Sequence, residues 1–130
     1  GVYEKSEGED ESSMALGMTG EKGRVHLHFC EQIKWEGKEG ERTERHMAKV
    51  LDQAIYSGYK IFPNQVLSAE FLGLDIDSDV KTETTDRELF RARLDNVVSF
   101  VGKGFSREEI EAKWCQITVQ PLLAKSGARD

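Results

Sequence analysis

The residues best placed to do chemistry are Arg24, His26, His28 and Cys30, which alternate with Val25, Leu27 and Phe29 along one short stretch. In an extended backbone this alternation sends the four polar side chains to one face and the three apolar ones to the other. Imidazole and thiolate are good zinc ligands, so a small metal-binding protein using His26, His28 and Cys30 is one reading. Such a site needs a further ligand and supporting hydrogen bonds, which the sequence does not identify. The plainer alternative is a polar face covered by a neighbouring helix or turned to solvent. Cys30 near His28 also has the residue types of a nucleophile and its base. Same-face neighbours in a strand are about 7 Å apart, beyond hydrogen-bond reach, and an unreactive buried thiol is the commoner state of a cysteine.

Asp75, Asp77 and Asp79 imitate the start of a calcium loop, followed at ligand-like spacings by Glu83 and Asp86. Val80 stands where the loop needs glycine for its sharp turn, and Asp86 stands where a bidentate glutamate belongs, so a solvated connector ending in a helix cap explains these acids. Gly17, Gly20 and Gly23 have neither the spacing of a nucleotide loop nor the lysine and hydroxyl that follow it. The residues therefore assign no catalytic, cofactor-binding or metal position, and no cofactor.

These side chains need elements to hold them. Residues 22–29 read as the only strong β-strand. A lone strand leaves its backbone donors and acceptors unpaired, so the chain is expected to be part of something larger, and its start at Gly1 rather than Met fits a piece of a longer protein. Ser6-Glu7-Gly8-Glu9 has the form of a capping box, followed by a short helix with Met14, Ala15, Leu16 and Met18. Residues 35–40 read as an exposed loop. Over 42–56 the apolar positions Met47, Val50, Leu51, Ala54 and Ile55 recur at helical spacing, and Gly58 is placed to stop that helix. Pro63 suits the first turn of the next helix, with Val66, Leu67, Phe71 and Leu72.

Residues 75–85 read as an acidic connector. Thr85-Asp86-Arg87-Glu88 and Ser106-Arg107-Glu108-Glu109 resemble two further capping boxes, opening a helical pair over 86–130. Phe90, Leu94, Val97, Val98 and Val101 line the first helix; Ile110, Trp114, Ile117 and Pro121 mark the face and end of the second. A rival reading makes residues 116–120 a strand that could pair with the first one, but the helical phase from the capping box favours a helix.

The chain has 24 acidic and 18 basic residues and a net charge of −6. That balance, with no cluster of Lys and Arg, argues against a nucleic-acid partner. No apolar run is long enough to span a bilayer, and no leader peptide is evident. Two distant cysteines, Cys30 and Cys115, do not make a disulfide framework, so a reducing cytoplasm is the expected compartment.

Two stretches together resemble the C-terminal part of bacterial glycerolipid acyltransferases, the family of the lysophosphatidic-acid acyltransferases. The first runs from Tyr3-Glu4-Lys5-Ser6 through Thr19-Gly20 to Lys22-Gly23-Arg24-Val25-His26, similar to that family's acidic helix, Thr-Gly turn and Lys-Gly-Arg-Val-His strand. The second is Tyr59-Lys60-Ile61-Phe62-Pro63-Asn64, similar to its Leu-Phe-Pro segment. Where the family strand continues Phe-Gly-x-Pro, this chain has Phe29-Cys30-Glu31-Gln32. The family's catalytic His-x4-Asp motif and its Phe-Pro-Glu-Gly-Thr acceptor block are both missing. His46 is followed by Asp52 one residue too late, and His26 and His28 meet Glu31 and Ile33 at the aspartate position.

The resemblance implies a parent enzyme that moves an acyl group from an acyl thioester to a glycerol-phosphate or lysophospholipid hydroxyl, in bacterial phospholipid biosynthesis. This segment is then a structural, catalytically incompetent part, with the rest of the acyltransferase chain as its partner. Its expected place is the cytoplasm, with peripheral docking on the inner membrane allowed. The expected fold is α+β, mostly helical with one strong strand, and part of an α/β acyltransferase sheet in the parent. Residues 1–74 would be the end of the α/β domain, 75–85 the connector and 86–130 the helical pair. The alternative is a free-standing α+β protein-interaction module.

Overall fold

The computed structural model describes residues 6–20, 23–34 and 44–128. Six helices follow in order: α1 (Glu9–Thr19), α2 (Glu44–Ser57), α3 (Pro63–Phe71), α4 (Thr84–Val101), α5 (Arg107–Thr118) and α6 (Gln120–Ala128). The loop expected over 35–40 lies outside the described residues, as does Lys22 at the head of the expected strand.

Side-chain caps set several helix starts. At α5 the box is complete: the Glu109 amide donates to Ser106 Oγ at 3.2 Å, and the Ser106 amide donates to Glu109 Oε2 at 3.1 Å. At α4 the cap sits two residues earlier than its sequence signature, with the Glu83 amide donating to Asp86 Oδ2 at 2.9 Å. Asp86 thus serves as the acceptor three residues into the cap rather than as a residue inside the box. At α3 Pro63 occupies the first turn, where a missing amide costs nothing, and Gln65 Oε1 accepts from the Phe62 amide at 2.8 Å. At α1 the Ser6 amide donates to Glu9 Oε2 at 3.0 Å, while the Glu9 amide turns to the Ser6 carbonyl instead of its hydroxyl.

Helix α3 is the axis of the packing. Leu67, Ser68 and Ala69 are buried in succession, which a helix achieves only when neighbours cover it on several sides. Here α4, α5 and α6 all pack against it. Leu67 joins Phe90, Leu94 and Cys115 in one cluster, with Trp114 packed beside them; Ala69 joins Val119 and Leu122 in another; Leu72 touches both. The helix closes with a Schellman turn: the Leu74 amide donates to the Ala69 carbonyl at 2.9 Å and the Gly73 amide to that of Glu70 at 3.1 Å. Gly73 there has φ of 70°, a conformation glycine adopts without a Cβ penalty.

The expected end of α5 is corrected in detail. The helix does not run through Pro121, because proline has no amide to offer the Ile117 carbonyl. The chain breaks at Val119 and restarts as α6, which sequence reading overlooked. Ile117 is exposed, and its place in the core is taken by Cys115, Val119 and Leu122. Residues 116–120 hold the end of α5 and the start of α6, so they supply no strand.

The α+β expectation is overturned. No strand or bridge forms among the described residues, and the fold they make is all helical. Residues 23–34 form neither helix nor strand, and Gly23 has a positive φ of 65°; an alternating segment becomes a strand only by exchanging backbone hydrogen bonds with another. The described residues provide no such partner, so neither the strong strand nor an α/β sheet is present among them. No helix among the described residues is long and apolar enough to cross a membrane.

Candidate functional site

Residues 24–30 lie along the end of α2 and the passage into α3, running in the opposite chain direction. Cys30 meets Ala54, its Sγ 3.6 Å from the carbonyl oxygen. His28 packs on Gly58, where a methyl group built on the glycine would come within 2.6 Å of the imidazole Nε2. Arg24 reaches Phe62, with its guanidinium carbon 5.5 Å from the ring centre. Three contacts in reverse order fix the register without any backbone ladder.

That register decides which face looks where. Cys30 contacts α2 and His28 and Arg24 contact the passage that follows it, all three remaining exposed, while Val25, Leu27 and Phe29 stand 78%, 75% and 84% exposed. This is the reverse of an ordinary half-buried strand, which hides its apolar face. His26, His28 and Cys30 line one groove and Arg24 sits on the Phe62 ring beside it, but all four remain exposed and no helix among the described residues covers them.

Between the segment and α2 lies a groove of about 380 Å³ that also touches the start of α6. Its polar lining is His26, His28, Cys30, Tyr59, Lys60 and Gln65; its apolar lining includes Ile55, Phe62 and Pro121. The two imidazoles are stacked, ring centres 6.3 Å apart. Lys60 Nζ is 5.6 Å from the centre of the Phe62 ring, so Phe62 carries two cations, from Lys60 and Arg24. Lys125 Nζ donates to the Tyr59 carbonyl at 2.6 Å, tying α6 to this passage.

The structure does not assemble the zinc reading: among the described residues no three His, Cys, Asp or Glu side chains converge as metal ligands. Cys30 is exposed and its thiol is directed at a backbone carbonyl, not at an imidazole. Asp75, Asp77 and Asp79 are exposed on the connector between α3 and α4. Cys115 lies elsewhere, wholly buried in the helical core, where burial pushes its thiol up against a smaller downward pull from Ser68. The Ser68 hydroxyl, also wholly buried, has no hydrogen-bond partner at normal distance, so its hold on the thiol is a loose contact.

Sequence reading missed Tyr59, Lys60 and Gln65 as groove residues. Their signal was present in the Tyr-Lys-Ile-Phe-Pro stretch, but nothing local indicates that it faces His26 and His28. Comparisons of the chain with protein-family models, curated proteins and solved structures return no match.

Proposed function

We propose that the chain is a non-catalytic segment of a glycerolipid acyltransferase, whose parent moves an acyl group from an acyl thioester to a glycerol-phosphate or lysophospholipid hydroxyl. The observation that supports this reading is the meeting of the two stretches that carry the resemblance. Arg24, from the Lys-Gly-Arg-Val-His stretch, and Lys60, from the Tyr-Lys-Ile-Phe-Pro stretch, both reach the Phe62 ring. Residues distant in sequence that converge on one ring beside an apolar-floored groove suit a wall of an acceptor channel. The chain has no His-x4-Asp motif, so the base that would activate the acceptor hydroxyl has to come from elsewhere in the parent.

The test is acyl transfer from an acyl thioester to glycerol 3-phosphate and to lysophosphatidic acid, by this chain and by the longest reading frame containing it. The chain should be inactive and the longer frame active, with a His-x4-Asp motif upstream. A frame with neither motif nor activity would sink the reading.

A second reading, a protein-interaction module, is favoured by the exposed row of Val25, Leu27 and Phe29. Replacing all three by serine should then abolish capture of a partner while leaving any acyl transfer intact.

A further inference from the structure

Helix α2 gathers its apolar residues on one side more sharply than any other described helix, yet it buries none of its residues. Among the described helices only α6 packs on it. Val50 and Ala54 are half-buried, while Met47, Leu51 and Ile55, at successive turns, stay 44%, 48% and 46% exposed. In water an amphipathic helix takes most of its stability from covering its apolar face, so this stripe has the make-up of an interface.

One edge of the stripe selects the partner. Arg45 and Asp52 lie there seven residues apart, on the same side of the helix and roughly 10 Å from each other along its axis. Both are exposed, and neither belongs to an ion pair among the described residues. They are too far apart to pair within one helix but well placed to pair between two. When α2 lies antiparallel against a second α2, with Met47 of each copy set against Leu51 of the other, Arg45 of each comes within one residue of level with Asp52 of the other. A twofold interface requires such a self-complementary patch. A bilayer surface would call for an excess of Lys and Arg on the polar side, whereas Glu44 and Asp52 balance Arg45 and Lys49.

We propose that two copies of this chain dimerise through antiparallel α2 helices, with Met47 and Leu51 at the centre and two Arg45–Asp52 pairs at the rim. The proposal rests neither on acyl transfer nor on the row of Val25, Leu27 and Phe29.

Sedimentation equilibrium of this chain should show a concentration-dependent step from one copy to two. Leu51→Ser should raise the dissociation constant at least about tenfold, since the change falls twice in each dimer. Arg45→Glu and Asp52→Arg should each weaken the dimer, because each turns both rim pairs into like charges. Mixed in equal amounts, these two variants should recover a dimer holding one copy of each, in which both rim pairs again join opposite charges. The three positions are exposed, so circular dichroism should show the variants folded. Phe100, 92% exposed on α4, is the control, and Phe100→Ser should leave the dimer unchanged. A single copy at every concentration, full association in folded Leu51→Ser, equal loss in Phe100→Ser or no recovery in the mixture would each overturn the proposal. Capture by phosphatidylglycerol vesicles that is lost in Leu51→Ser would give the face to lipid and overturn it as well. Those outcomes leave acyl transfer by the longer reading frame untouched, so the two ideas fail separately.

Discussion

His28 lies directly against Gly58, so closely that the glycine has no room for a side chain in that direction. The contact sits between those of Cys30 with Ala54 and Arg24 with Phe62, and it sets how near the segment can approach the passage that follows α2. Gly58→Ala should push the imidazole outward. Because His28 is exposed and can swing away, the cost to global stability should be small, at most about 1 kcal/mol. The local effect should be large. Imidazole NMR signals of His26 and His28 should shift together as their stacking is lost, whereas unchanged signals would show that the segment does not rest there.

The helical core is expected to carry the stability. Leu94 is buried among Leu67, Phe90 and Cys115, and Leu94→Ala should cost about 2–5 kcal/mol through lost burial and the cavity left behind. Denaturant unfolding measures this directly. Leu27→Ala is the control: Leu27 is exposed, so its change should stay within about 0.5 kcal/mol.

The two thiols should separate cleanly in a reaction with a disulfide reagent. Cys30 is exposed and Cys115 is wholly buried, so one thiol should react at once and the second only on unfolding. Burial raises the Cys115 thiol above its ordinary value of 9.0. A raised folded value stabilises the protein fully below the unfolded value, and that contribution is lost as pH rises through the folded one. Stability should therefore fall on the alkaline side of 9, and Cys115→Ala should remove this dependence along with some packing energy. Equal reaction of both thiols in the native protein would contradict the burial.

Glu70 and Arg87 join α3 to α4 by a two-point contact, Arg87 Nη1 on Glu70 Oε1 at 2.9 Å and Nη2 on Oε2 at 3.0 Å. That hydrogen bonding, aided by the opposite charge, holds the Glu70 carboxyl below its ordinary 4.5. A depressed folded value stabilises the protein above the unfolded value and loses its effect as pH falls through the folded one. Both side chains are more than half exposed, so the effect should be small and screened by salt. Arg87→Gln should lower Tm slightly at pH 7 in low salt, and the difference should vanish near pH 2 or in high salt. A difference that persists in acid would point to lost packing instead. A second bridge, from Arg107 to Asp95, also links α5 to α4, by one contact instead of two, while Arg107 pairs within α5 with Glu111; it serves as the comparison.

Local chemistry alone determined much of this protein. The Ser106–Glu109 cap, Pro63 at a helix start and the stop after Ser57 each depend on neighbours within a few residues, so they could be read without knowing the fold. What tertiary structure decided was the environment of each face. Alternation cannot say which side meets the rest of the chain, nor whether a ladder partner exists; here Cys30, His28 and Arg24 meet Ala54, Gly58 and Phe62, no ladder forms among the described residues, and Val25, Leu27 and Phe29 stand exposed. The groove needed Lys60 and Tyr59 to arrive from beyond α2 and Pro121 from α6, and only packing of the helices brings such distant positions within reach. Cys115 entered the core in place of Ile117 for the same reason: α3 covers one side of α5, and the side is chosen by the neighbour rather than by the residue.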